Sequence, residues 1–194
     1  MKTFLSLLRG AVFATFMLVL VCCGLYPLLV WGIAQVCFPA KANGSLITAA
    51  DGTVRGSRLL GQPFAAEKYF HPRPSCAGNG YDAANSSGSN LGPTSKKLAD
   101  TIAQNVADYR TQNGMATNAP VPADAVTASA SGLDPHITAA NALLQSARVA
   151  KARGVKLEAV QALIGKFTEP PQLGLLGEAC VNVLELNLAL DKQP

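Results

Sequence analysis

No charged residue stands between Arg9 and Lys41. A stretch of that length has no polar face to turn to water, which excludes a surface helix of a soluble domain. Cysteine is scarce outside it: Cys22, Cys23 and Cys37 belong to the charge-free region, and only Cys76 and Cys180 remain. Two cysteines leave room for one disulfide in an oxidising compartment and exclude a disulfide framework. Excess positive charge is missing too. Without Lys2 and Arg9 the balance is 14 basic against 12 acidic residues, evenly spread, which excludes a nucleic-acid-binding surface. Absent as well are the phosphate-cradling G-x-x-x-x-G-K-[ST] loop and the nucleophile elbow G-x-S-x-G.

What is present begins with the anchor. After a short tail, residues 1–10, residues 11–37 are predicted to form one bilayer-spanning helix, for which roughly 20 apolar residues suffice. A cleaved signal peptide would end its shorter apolar core in small residues, whereas here the run continues through Leu28, Leu29, Val30, Trp31 and Ile33. Pro27 is expected to kink the helix, because it brings no N–H and its ring crowds the preceding turn. A short basic tail tends to stay in the cytoplasm and long domains cross regardless of charge. The N-terminus is therefore read as inside and the domain, residues 38–194, as outside.

That domain is long enough for one core, and the pattern predicts an α+β fold. Asn43-Gly44 marks a turn just beyond the membrane. Asn43-Gly44-Ser45 also matches a glycosylation acceptor, and is read as turn chemistry. Ser45 to Ala49 and Thr53 to Leu60 flank Asp51-Gly52, a dipeptide suited to a two-residue hairpin turn. Tyr69-Phe70-His71-Pro72-Arg73-Pro74-Ser75 reads as an extended surface loop, since each proline pushes its predecessor out of the helical region. From Gly78 to Pro93 the chain is Gly, Asn and Ser with almost no aliphatics, a length of loop that is usually functional or mobile. A helix capped at Thr94 or Ser95 follows, with Leu98, Ile102, Val106 and Tyr109 on one face. The next helix is capped by Thr138, with Ala140, Leu143, Leu144 and Ala147 on one face and Gly154 at its end. A third places Leu157, Val160, Ile164 and Phe167 together. In Val181-Asn182-Val183-Leu184-Glu185-Leu186-Asn187-Leu188 the alternation suits a strand, and the last residues equally suit a helix.

Ser131, Asp134 and His136 lie close enough in sequence to raise a membrane-anchored hydrolase. A histidine two residues from its acid is poorly placed to be oriented by it, and a rigid Asp134-Pro135 turn is the plainer reading. The two Gly/Ser-rich segments, 78–93 and 129–135, have few apolar residues and must be positioned by the elements beneath them. Binding residues concentrate on such loops. Arg73, Asn90 and Asp134 are therefore expected to serve partner contact, with little effect on stability when removed; the alternative is that Asp134 caps the helix beginning near Thr138 and Arg73 pairs internally, at a cost of about 1 kcal/mol or more.

Taken in order, these motifs resemble one family: the C subunit of the Kdp potassium-transporting P-type ATPase of bacteria and archaea. The resemblance rests on Tyr26-Pro27-Leu28-Leu29-Val30, Phe38-Pro39 with Ala42 to Ile47, Leu60-Gly61-Gln62, and Tyr69 to Ser75. It continues through Ser89-Asn90-Leu91-Gly92-Pro93, Ser129-x-Ser131-Gly132-Leu133-Asp134-Pro135-His136-Ile137, Gln145 with Arg148-Val149-Ala150, and Val181 to Asn187. It implies a single-span, non-catalytic accessory subunit in the bacterial inner membrane, without cofactor or metal of its own. Its partners would be a potassium-channel-like subunit and an ATP-hydrolysing one. This chain has no D-K-T-G phosphorylation sequence and is not expected to turn over ATP itself. The resemblance further implies a catalytic chaperone that raises the pump's ATP affinity through a ternary complex. Ser129, Ser131, Gly132, Asp134 and Gln145 would then be candidates for nucleotide contact. That role requires a cytoplasmic domain, against the orientation read from the charges.

Overall fold

The structure, a computed structural model, describes residues 2–192. The chain divides into two units between Leu46 and Ile47. In the first, α1 (Lys2–Val19), a π-helical segment (Leu20–Leu25) and α2 (Tyr26–Cys37) form one continuous run. The part from Thr3 to Cys37 has a mean hydropathy of 2.3 and is long and apolar enough to cross a membrane. Of the residues read as a tail, Lys2 to Gly10 are helical as well, and Met1 lies outside the described residues. The π segment is the local answer to Pro27. Tyr26 N–H donates to the Val21 carbonyl, five residues back, and Pro27 has no N–H. The Cys22 carbonyl therefore has no donor four or five residues ahead, and in hydrocarbon such a group calls for one from a neighbouring helix. After Cys37 a single turn, α3 (Pro39–Ala42), leads to Asn43, whose amide pairs with that of Gln35 at 3.1 Å and donates to the Pro39 carbonyl at 2.7 Å.

A hairpin follows, β1 (Leu46–Thr48) with β2 (Val54–Ser57). Its turn is longer than the two residues expected. Ala49 N–H donates to Thr53 O at 2.9 Å, and only Gly52 has positive φ. Asp51 instead accepts from the Thr53 N–H at 2.9 Å and its hydroxyl at 2.6 Å, the side-chain turn bond that short carboxylates favour.

The core of the second unit is a three-stranded antiparallel sheet ordered β3 (His136–Thr138), β5 (Cys180–Asn182), β4 (Thr168–Glu169). Against it lie α6 (Ala139–Arg153), α7 (Leu157–Phe167) and α8 (Val183–Leu190). Ile137, Val149, Val160, Ile164, Val181, Leu186 and Leu190 form one buried cluster. The longer α4 (Lys96–Gln112) starts at Ser95, whose hydroxyl accepts from Leu98 N–H, and is followed by the one-turn α5 (Ala123–Val126). Thr138 caps α6, and Gly154 ends it at φ 67°, both as the sequence predicts.

One open alternative is settled and two sequence expectations are corrected. The strand alternation beginning at Val181 stops after Asn182, whose side chain accepts from Glu185 N–H and starts α8. His136–Thr138 is a strand inside a stretch read as turn and cap. The buried face of α6 is not Ala140, Leu143, Leu144 and Ala147 but Asn141, Ala142, Gln145, Ser146, Val149 and Ala150, with Leu143 47% exposed. Polar side chains won that face because they hold another part of the chain, which hydrophobic periodicity does not register. Cys76 and Cys180 are both free thiols.

A clamped strap as the candidate functional site

The segment from Glu67 to Ser75, of which Tyr69 to Ser75 was expected to be a surface loop, is a strap drawn into the domain. Phe70 sits in the core at 0% exposure. A strap outside any sheet must still satisfy its peptide groups when buried, and here two amide side chains do so. Asn187 accepts from Phe70 N–H at 2.9 Å and donates to Phe70 O at 3.0 Å. Gln145, 1% exposed, accepts from His71 N–H at 2.7 Å and donates to His71 O at 3.1 Å. Each amide thus stands in for a neighbouring strand.

Two arginines from α6 complete the hold. Arg148 donates to the carbonyls of Glu67 and Tyr69 and, at 2.7 Å, to Gln145 Oε1. Arg153 donates to Lys68 O at 2.7 Å, pairs with Asp191 at 2.7 Å, and lies over the Tyr69 ring. Beneath them a network joins Asp124, Thr138, Asn141 and Tyr109. Asp124 accepts from Thr138 N–H at 2.8 Å and Asn141 Nδ2 at 3.0 Å, and Asn141 Oδ1 accepts from Tyr109 hydroxyl at 2.8 Å and Gln145 Nε2 at 2.9 Å. Burial, with Arg148 nearby, pushes the His71 imidazole below its ordinary value.

The second half of the site is Ser129–Pro135, a segment locked by its own backbone. Leu133 O accepts from Gly61 N–H at 2.7 Å, Ser131 O from Ser87 N–H at 3.0 Å, Gly132 O from Ser75 hydroxyl at 2.6 Å, and Pro135 O from Val183 N–H at 2.9 Å. Arg73 reaches across from the strap to Asp134 Oδ2 at 2.8 Å. Burial alone would raise the Asp134 carboxyl, but hydrogen bonds from His136 and Arg73 outweigh it and hold it at about 2. The effective His136 donor is its backbone N–H at 3.0 Å, since its ring Nδ1 stands 3.6 Å from Oδ1.

The predicted residues therefore fall into three groups. Arg73, Ser129, Ser131 and Asp134 line one shallow hollow, with Gly132 in the backbone beneath them. Gln145 lines a second cleft, of about 380 Å³, with His71, Tyr81, Tyr109, Asn141 and Arg73 itself. Asn90 stands apart, exposed and left-handed at φ 52°. Arg73 and Asp134 bond each other where both are largely shielded from water, the internal pairing that the sequence left as the alternative to partner contact. Arg73 Nε, also buried, has no hydrogen-bond partner among the described residues. The triad reading fares no better. Ser131 Oγ accepts from Leu133 N–H at 3.1 Å, and no hydrogen bond joins it to His136 among the described residues. Sequence reasoning missed Asn141, Arg148, Arg153 and Asn187 as holders of the strap. The available signal was the recurrence of Asn141, Gln145 and Arg148 at helical spacing along one helix.

Comparison with known proteins places this architecture. The family described as KdpC, K+-transporting ATPase, c chain, matches residues 8–192. A potassium-transporting ATPase KdpC subunit of Rhodospirillum rubrum is 57% identical over 87% of this chain and 86% of its own. One from Koribacter versatilis is 55% identical over 86% and 84%. One from Nitratidesulfovibrio vulgaris is 52% identical over 96% and 94%.

Proposed function

The chain belongs to the KdpC family, the c chain of potassium-transporting ATPases, and from that premise we propose a non-catalytic accessory subunit whose domain lies outside the cytoplasmic membrane. There it would support assembly and turnover of a pump whose other subunits carry potassium and hydrolyse ATP. One observation carries this reading. The polar groups that sequence offered for chemistry, Ser131, Asp134 and Gln145, are engaged in holding the strap and the segment beside it. Such a domain is built as a rigid scaffold, not as a reaction centre.

An outside domain meets the nucleotide only through the membrane. We therefore assign any rise in the pump's ATP affinity to transmission through the anchor, not to contact of Ser129–Asp134 or Gln145 with ATP. The side is tested by topology. With the five native cysteines replaced, Lys192→Cys, at an exposed position after α8, is expected to react in intact cells with a thiol reagent that cannot cross the inner membrane. Labelling that appears only after lysis would place the domain in the cytoplasm and restore direct nucleotide contact.

A further inference from the structure

The connection between β4 and β5 carries the three most exposed large apolar side chains of the folded domain: Leu173 at 90%, Leu175 at 87% and Leu176 at 61%. These strands are antiparallel, so the connection leaves the sheet and returns beside its own start. It is not slack. Pro170 and Pro171 stiffen its base, and Gln172 and Leu176 exchange both backbone hydrogen bonds, at 2.8 and 2.9 Å. Gly174 N–H closes on Pro171 O at 3.0 Å. Between them stands Leu173 at φ 54°, a left-handed conformation that disfavours any residue with a side chain. Glycine adopts that conformation without strain. This loop holds a leucine outward.

We propose that this finger is the docking element by which the domain engages an apolar pocket on another subunit of the same ATPase, a reading that rests on the accessory role above. Leucines fixed before contact lose little freedom on docking, so they act as anchors of an interface. The composition selects the occupant. Between Thr168 and Cys180 there is no aromatic and no basic residue, and the charges are Glu169, at the base and paired with Arg58, and Glu178. Segments that lie in a lipid surface carry Trp or Phe with Lys or Arg, drawn to anionic headgroups. An acidic finger is repelled by such a surface. It fits a protein pocket whose rim is neutral or basic, facing Glu178.

The test uses the full chain co-expressed with the other subunits of its complex. The double variant Leu173→Ser with Leu175→Ser is expected to keep the melting temperature of the isolated full chain. Its recovery with the complex is expected to fall by about tenfold or more, the effect of losing central anchors. A photoreactive phenylalanine analogue at position 175 is expected to form an adduct with another subunit. An adduct with lipid alone, or with a second copy of this chain, would overturn the proposal. So would wild-type recovery of the double variant while the wild-type chain co-purifies, and the accessory reading would then survive. Failure of the wild-type chain itself to co-purify would overturn both.

Discussion

Gly132→Ala is expected to be the most damaging single-methyl change in the domain. Gly132 has φ 67°, and a Cβ there would stand 2.7 Å from both the Ala77 backbone nitrogen and the Ser87 carbonyl oxygen. Neither is the end of a flexible side chain that swings aside. Relief requires the backbone to part, and with it go the Ser131 O to Ser87 N–H and Gly132 O to Ser75 bonds. The left-handed conformation alone costs alanine about 1–2 kcal/mol. Overpacking adds about 1–3 kcal/mol. The control is Gly154→Ala, at the same φ of 67° but with nothing within 4 Å of the added Cβ. Thermal unfolding of both variants should show Gly132→Ala losing at least twice as much stability. Equal losses would mean that the 129–135 segment is not packed as described.

Gln145→Leu is expected to be next in effect. Leucine fills the space but leaves the His71 N–H and C=O without the amide that pairs with them, and frees an Arg148 donor and the Asn141 oxygen. Each stranded buried group costs about 1–3 kcal/mol, and more when charged, so we expect a loss of about 3 kcal/mol or more. For a chain of this size each kcal/mol lowers the melting temperature by roughly 2–4 °C. Asn187→Leu removes the parallel clamp at Phe70 and should behave alike. A Gln145→Leu chain that melts normally yet fails to support the pump would show that the amide serves a nucleotide or a partner instead of the strap.

Much of the scaffold was legible because its signals are local. The charge-free run predicts the span, Asp51-Gly52 the hairpin, and Ser95, Thr138 and Gly154 the helix ends; each needs only its immediate neighbours. The strap was not legible for the opposite reason. Gln145 and Asn187 meet it across sequence separations of 74 and 117 residues, and nothing in Tyr69 to Ser75 announces that its peptides will be satisfied by side chains from distant helices. Hydrophobic periodicity then misassigned α6, since a face that buries Asn141, Gln145 and Ser146 reads as solvent-facing. The same burial explains the candidate site. Arg73 and Asp134 were recognisable as polar residues in glycine- and proline-rich company, and Gln145 through the family resemblance, but whether such residues face outward or inward depends on partners that sequence order conceals.

The accessory role itself is tested most directly by phosphate release measured on the purified chain and on the purified complex with and without it. The expected result is no release by the chain alone, and potassium-dependent release by the complex that falls when the chain is omitted and returns when it is added back. Release by the chain alone that is abolished by Asp134→Asn would contradict the account and favour a hydrolase. So would a complex whose potassium-dependent activity does not change when the chain is omitted.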